Sequence, residues 1–327
     1  MTYETQAAAL GRTADEQIAS LTGSLAQETT RSADLASALA TSQSARLTAE
    51  ARVRELEQLL AAAQPPAPVG PAVPAGWRTA FLDEFKAPTL DTKAWTANTG
   101  TLGAPREEYN RPENVTTGKG LVITAKREPF GGRAVTSGYI TSAGKVEFGI
   151  GSLFEAEITM PKMSANAAGL WPAFWLRFAN VAGELDILEA YGAPFKTAAS
   201  AAAQALMRGG YEATTHNTTQ GSPAKTVLAS GGGVIADGST HRYGLAFEET
   251  GLTYLFDGKP LADTYGRPNP ITWEQLAAKG VLKSSFAGKA HMRLQLQVGS
   301  PYWGPSTPDT ALPAAMRVNW VRVLTKA

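Results

Sequence analysis

The chain has 327 residues, 43% of them hydrophobic, with 30 basic side chains against 29 acidic ones, three histidines and no cysteine. Such a length supports one large domain, or one domain with an appendage. Balanced charge excludes the electrostatic footprint of a nucleic-acid or anionic-membrane partner, and the lack of cysteine excludes disulfides, thiolate nucleophiles and cysteine-held zinc. His216, His241 and His291 are too widely spaced to suggest a histidine-rich metal centre.

The first residues, "MTYETQAAALGRTADEQ", carry neither a basic nor an apolar leader region, and no stretch approaches the roughly 20 apolar residues of a membrane span. The expectation is a soluble chain without a standard export signal. Between Tyr3 and Trp77 there is no aromatic residue, so residues 1–62 cannot close a globular core alone. A heptad frame set on Ile18 places Ile18, Leu21, Leu25, Leu35, Leu39, Ala49, Val53, Leu56 and Leu60 on one seam. That pattern predicts a helical coiled coil that oligomerises the chain, with a trimer as the expected number. A partnerless, alanine-favoured helix is the competing reading, because Glu28, Ser32, Ser42 and Arg46 break the seam. Prolines at 65, 66, 68, 71 and 74 then predict a semi-stiff linker over 63–76.

From Trp77 to Ala327 the texture becomes short, alternating strands. "GLVITAKRE", "KVEFGIGSLFEAEITM", "HRYGLAFEETGLTYLFDGKPL", "HMRLQLQVGS" and "AMRVNWVRVLTKA" alternate apolar with polar residues between Gly, Pro, Asp and Asn. Asp257-Gly258 is a hairpin-turn signal, and "TWEQLAAKGVL" and the Ala-rich 196–210 segment look helical. The fold class read from this pattern is all-β, a single sandwich.

"GELDILEAYG", Gly183 to Gly192, sets three carboxylates among buried-type leucines. In a strand Glu184 and Asp186 share a face, whereas plain alternation sends Glu189 to the other. A one-residue β-bulge between Asp186 and Glu189 returns all three acids to one face and leaves the aliphatic residues for the core. Two glutamates flanking a sugar with carboxyls about 5 Å apart are the equipment of a retaining glycosidase, and crowded carboxylates do not all ionise. A solvated edge strand and a Ca²⁺ or Mg²⁺ site are the competing readings of the same acids.

With "GLWPAFWL" upstream, "FLDEF", "LDTKAW", "RPENV", "GLVITA", "GKVEFGIGSLFEAEITMPK", "YLFDGKPL" and "AMRVNWVRV" in matching order, the segment 77–326 resembles glycoside hydrolase family 16 in its bulged, laminarinase- and agarase-like form. The resemblance implies a concanavalin-like jelly roll whose concave face is a glycan cleft. It implies Glu184 as nucleophile, Asp186 as assisting acid and Glu189 as acid/base. It also moves Trp171 and Trp175, which by size alone belong to a core, onto the cleft as sugar platforms.

Trp303 in "GSPYWGP" resembles a loop tryptophan beside that cleft. Asn114 is either a sugar ligand or a turn-closing residue, and His216 is either a partner of the nucleophile or a structural histidine. Arg106, Glu108 and Arg111 are rim candidates. His216-Asn217 stands where the family often has His-Trp. No cofactor is required by this chemistry. Asn319 stands where an aspartate commonly binds a structural Ca²⁺, which weakens a calcium site without removing it.

The expected function is endo-acting, retaining hydrolysis of a β-linked polysaccharide, with a 1,3- or mixed 1,3/1,4-β-glucan first and a β-galactan second. A glycan-binding module that lost turnover is the reading from a different class. A stalk without an export signal suggests hydrolase heads carried on a bacteriophage particle beside other virion proteins, the alternative being a secreted bacterial enzyme.

Overall fold

The computed structural model describes residues 3–63, 72–101, 106–162, 167–179, 183–192, 210–217, 224–231, 238–263, 266–299 and 304–327. The chain divides into two compact units, Met1–Ala67 and Pro68–Ala327. The first is one helix, Tyr3–Ala63. At 1.5 Å per residue it runs about 90 Å. On it Ile18, Leu21, Leu25, Leu35 and Leu39 are each at least 60% exposed, so the apolar seam lies open along the single chain. The side chains of Val53, Leu56 and Leu60 fall outside the described residues.

The second unit is a β-sandwich. One sheet follows the order Lys259–Pro260, Gly251–Phe256, Thr240–Glu248, Ser152–Thr159, Ala314–Lys326, Leu121–Phe130, Arg133–Ser137 and Glu108–Asn110. The other runs Ala224–Gly231, Tyr211–Asn217, Glu184–Glu189, Leu170–Phe178, Ala290–Val298, Tyr139–Thr141 and Thr96–Ala97. Alternation read from sequence sets the packing. Phe174, Leu176, Met292, Leu294 and Leu296 point inward from the second sheet, and meet Ile123, Phe154, Ile158, Val318, Val321 and Val323 from the first in one core. Burial of each such side chain contributes about 1.5–3 kcal/mol.

Local chemistry closes the elements. Asp257 and Gly258 both have positive φ, 50° and 76°, as a type I′ hairpin demands. The helix Trp273–Ala277 begins with a capping box between Thr272 and Gln275. The Ala-rich 196–210 segment, expected to be helical, lies outside the described residues except for Gly210.

The strand Glu184–Glu189 is squeezed at both ends. Gly183 N donates to the Ser285 carbonyl at 3.0 Å and Gly192 N to the Leu170 carbonyl at 2.9 Å. A Cβ at Gly183 would overlap the Ser285 carbonyl, and one at Gly192 the Ala167 carbonyl, so only glycine lets the backbone approach so closely.

Candidate active site

The site is built on the Glu184–Glu189 strand. Against Leu170–Phe178, Leu176 pairs with Leu185 and Trp175 with Asp186, but Phe174 pairs with Leu188, leaving Ile187 without an opposite residue. On its other edge the strand shifts register between Asp186 and Glu189 as well. Ile187 is therefore the bulged residue. Leu185, Ile187 and Leu188 all enter the core, and Glu184, Asp186 and Glu189 share the opposite face.

Residues directly opposite across a ladder share a face, so the register maps that surface. One row runs Arg293, Trp175, Asp186, Thr214, and the next runs His291, Arg177, Glu184, His216. A third row runs Gln295, Ala173, Glu189, Glu212. Trp171, two residues before Ala173 on the same face, lies opposite Gln297.

Each acid has its own partner. Arg177 Nη1 donates to Glu184 Oε2 at 3.0 Å. His216 Nε2 lies 2.8 Å from Asp186 Oδ2 and 3.9 Å from Glu184 Oε1. Trp171 Nε1 donates to Glu189 Oε1 at 3.0 Å, and the Tyr191 ring packs with its centre 5.6 Å from that of Trp171. Burial first, then the charges of Glu189, Glu212 and Asp186, push the Tyr191 hydroxyl well above its ordinary value, so it stays a donor. Asp186 and Glu189 are buried and Glu184 is half-buried. Glu184, Asp186 and His216 each offer one atom within 4.8 Å of the others, a spacing that could also hold a metal ion.

Trp171 and Trp175 are half-exposed on this face rather than in the core. Arg106 stands 5.5 Å from the Trp171 ring centre. Asn114 is not at the cleft. It is 1% exposed, and its amide donates to the Thr124 carbonyl at 2.7 Å and to Thr136 Oγ1 at 3.1 Å, so the structure corrects the sugar-ligand reading in favour of a turn residue. Arg111 pairs with Glu128 and Glu113 and stacks on Phe130, away from the acids' own partners. Trp303 lies outside the described residues. Asn319 donates its amide to Glu157 Oε1 at 2.8 Å.

Glu108, expected at the rim, and Glu107, which carried no sequence signal, instead anchor distant backbone. Glu108 Oε2 accepts from Val298 N at 3.1 Å, and Glu107 accepts from the backbone and hydroxyl of Ser306. They fix Val298 and Ser306. No local motif announces this, because the partners lie about 190 residues away.

Known proteins share the family and the fold of this chain. A family model described as glycosyl hydrolases family 16 matches residues 106–290. The glucan endo-1,3-beta-glucosidase A1 of Niallia circulans is 27% identical over 291 residues, covering 78% of this chain and 39% of that protein. A beta-glucanase of Rhodothermus marinus is 31% identical over 132 residues, covering 36% of this chain and 44% of its own length. The chain spans about two fifths of the length of the curated relatives it matches. Among solved structures, an endo-beta-1,3-glucanase from Pyrococcus furiosus superposes with a TM-score of 0.60 at 26% identity, covering 77% of this chain and 95% of that one. The laminarinase catalytic domain of Thermotoga maritima gives 0.60 at 21% identity, over 77% and 99%.

Glu108 also generates a pH dependence. Burial pushes its carboxyl up to about 7, against the lowering effect of the Val298 N–H and of Arg106 and Arg133. A folded-state value above the ordinary 4.5 means that the native state holds this proton more tightly than the unfolded chain does. The associated stability is complete below about pH 4.5 and is lost as pH rises through about 7, by about 3 kcal/mol at most. Glu108→Gln, neutral at every pH, should have the higher Tm at pH 8 and lose that advantage at pH 5. Thermal melts of both proteins across this range check it; parallel curves would show that Glu108 is not the group responsible.

Proposed function

This chain belongs to glycosyl hydrolase family 16, and we propose that it is a retaining endo-β-glycosidase within it, acting on a 1,3- or mixed 1,3/1,4-β-glucan. The observation that carries this reading is the bulge at Ile187, which gathers Glu184, Asp186 and Glu189 on the face that also presents Trp171 and Trp175. The named activities of the relatives support the substrate class.

Each side chain takes one role. Arg177 orients the Glu184 carboxylate, which suits a nucleophile. Glu189 is held by the Trp171 donor and gives its proton to the glycosidic oxygen as Glu184 attacks the anomeric carbon. The first product leaves with that proton, and the sugar remains esterified to Glu184. Water then gives a proton back to Glu189 and attacks the same carbon, releasing Glu184 as a carboxylate. Asp186, braced by His216, sits between the two and buffers the charge that passes from one to the other. The half-exposed tryptophan rings offer flat apolar faces to the C–H faces of pyranose rings.

Glu184→Gln should lower kcat on 1,3-β-glucan by about a thousandfold or more while leaving thermal stability and glycan binding in place. Glu189→Gln should spare formation of the glycosyl-enzyme from aryl glycosides, whose leaving groups need little protonation. Steady-state and burst kinetics read both. A Glu184→Gln enzyme with wild-type turnover would overturn the assignment.

The helix serves as an oligomerising stalk in this reading, with a trimer as the number, and the Pro-rich 63–76 segment as the spacer to the hydrolase head. Its support is the heptad row of open apolar side chains, which a partner helix would bury. Several heads on one stalk hold a repetitive polymer by multivalency, as display on a virion or another surface requires. Sedimentation at micromolar concentration should give an oligomer for the full chain. A monomer there would remove the stalk and the virion setting together.

A further inference from the structure

On the cleft face, beside the acids and two strands from them, Arg293 has no counter-ion of its own among the described residues. It lies in one row with Trp175 and Asp186, about 10 Å from the acid strand at the usual strand spacing. Its guanidinium stacks 4.5 Å from the Trp175 ring centre and 5.8 Å from that of Tyr139. Its Nε donates to His291 Nε2 at 3.1 Å. Burial, then the Arg293 charge, hold His291 down to about 4, so that imidazole is a neutral acceptor and fixes the fork without neutralising it. Arg293 makes no ion pair within 4 Å among the described residues, and its two terminal amino groups have no acceptor there. The nearby nucleophile is already matched, since Arg177 pairs with Glu184. A half-buried guanidinium, held flat and in place with its donor edge unused among the described residues, is a surplus cation on the face that carries the acids.

We propose that Arg293, clamped by Trp175 and His291, forms a subsite for a negatively charged substituent on the β-glycan, either a carboxylate or a sulfate ester. The planar fork suits either anion by paired N–H donors, which a neutral sugar hydroxyl cannot match. Arg177, directly across the ladder from His291, adds positive potential on the same side of the cleft. Acids on one side and this cation on the other would make the polymer bind in one register, with its charged substituent away from the carboxylates.

This inference rests on the glycosidase reading, and two separate readouts keep them apart. Binding is measured with Glu184→Gln, full chain, by calorimetry against three polymers of matched length: unmodified, partly carboxymethylated and partly sulfated 1,3-β-glucan. The carboxymethylated or the sulfated polymer should bind about tenfold more tightly than the unmodified one, and the added substitution Arg293→Gln should erase that preference. Whichever anion gains more identifies the substituent. Turnover by the otherwise native chain is measured separately, where Arg293→Gln should lower the ratio of kcat/KM on charged over neutral polymer about tenfold, and Arg293→Lys should restore part of it. Equal binding of all three polymers, or a loss in Arg293→Gln that is the same for charged and neutral ones, would overturn the subsite. Binding that follows charge with no release of reducing ends from any polymer would uphold the subsite and overturn the hydrolase reading.

Discussion

One extra residue in one strand governs this molecule. A β-strand alternates its side chains, so it cannot by itself put Glu184, Asp186 and Glu189 on one face and Leu185, Ile187 and Leu188 on the other. Ile187, unopposed in the ladder, absorbs the conflict. Without it the register would turn Glu189 into a core of Phe174, Leu176 and Met292, where an unpaired carboxylate costs several kcal/mol. Packing and chemistry thus depend on the same backbone irregularity. The aliphatic residues that hold the strand against the opposite sheet also fix the aim of the acids.

Gathering like charges creates a second problem, which the neighbouring strands solve. Arg177 answers Glu184, His216 answers Asp186, and the N–H of Trp171, with the Tyr191 ring packed against it, answers Glu189. The partners differ in kind: a permanent cation, a titratable base and a neutral donor. Three chemically similar carboxyls are thereby given three different surroundings, which is what separate roles in one reaction need. Arg293 remains outside this accounting, stacked on Trp175 with no ion pair among the described residues, and that imbalance is what points to a substituent on the polymer.

The alternation of the strands, the Asp257-Gly258 hairpin and the bulge were legible in the sequence, because each is a rule about residues close along the chain. The acids looked uncompensated there, since Arg177 becomes their neighbour only through the ladder register. The same holds for Arg293 with Trp175, and for Glu108, whose partner Val298 is 190 residues distant. Asn114 was ambiguous for a related reason: a turn-closing amide and a sugar-binding amide look alike until burial separates them, and here burial chose the turn. The open apolar row on the N-terminal helix follows from its heptads.

The central claim is that the bulged strand makes Glu184 the nucleophile and keeps Glu189 as proton carrier. Trapping the intermediate tests it most directly. A 2-deoxy-2-fluoro β-glucosyl oligosaccharide with an activated leaving group slows the second step, and peptide mapping by mass spectrometry locates the bound sugar. The account predicts a single adduct on Glu184, abolished in Glu184→Gln and retained in Glu189→Gln. An adduct on Glu189 or Asp186, or turnover of the fluorinated substrate with no adduct at all, would contradict it.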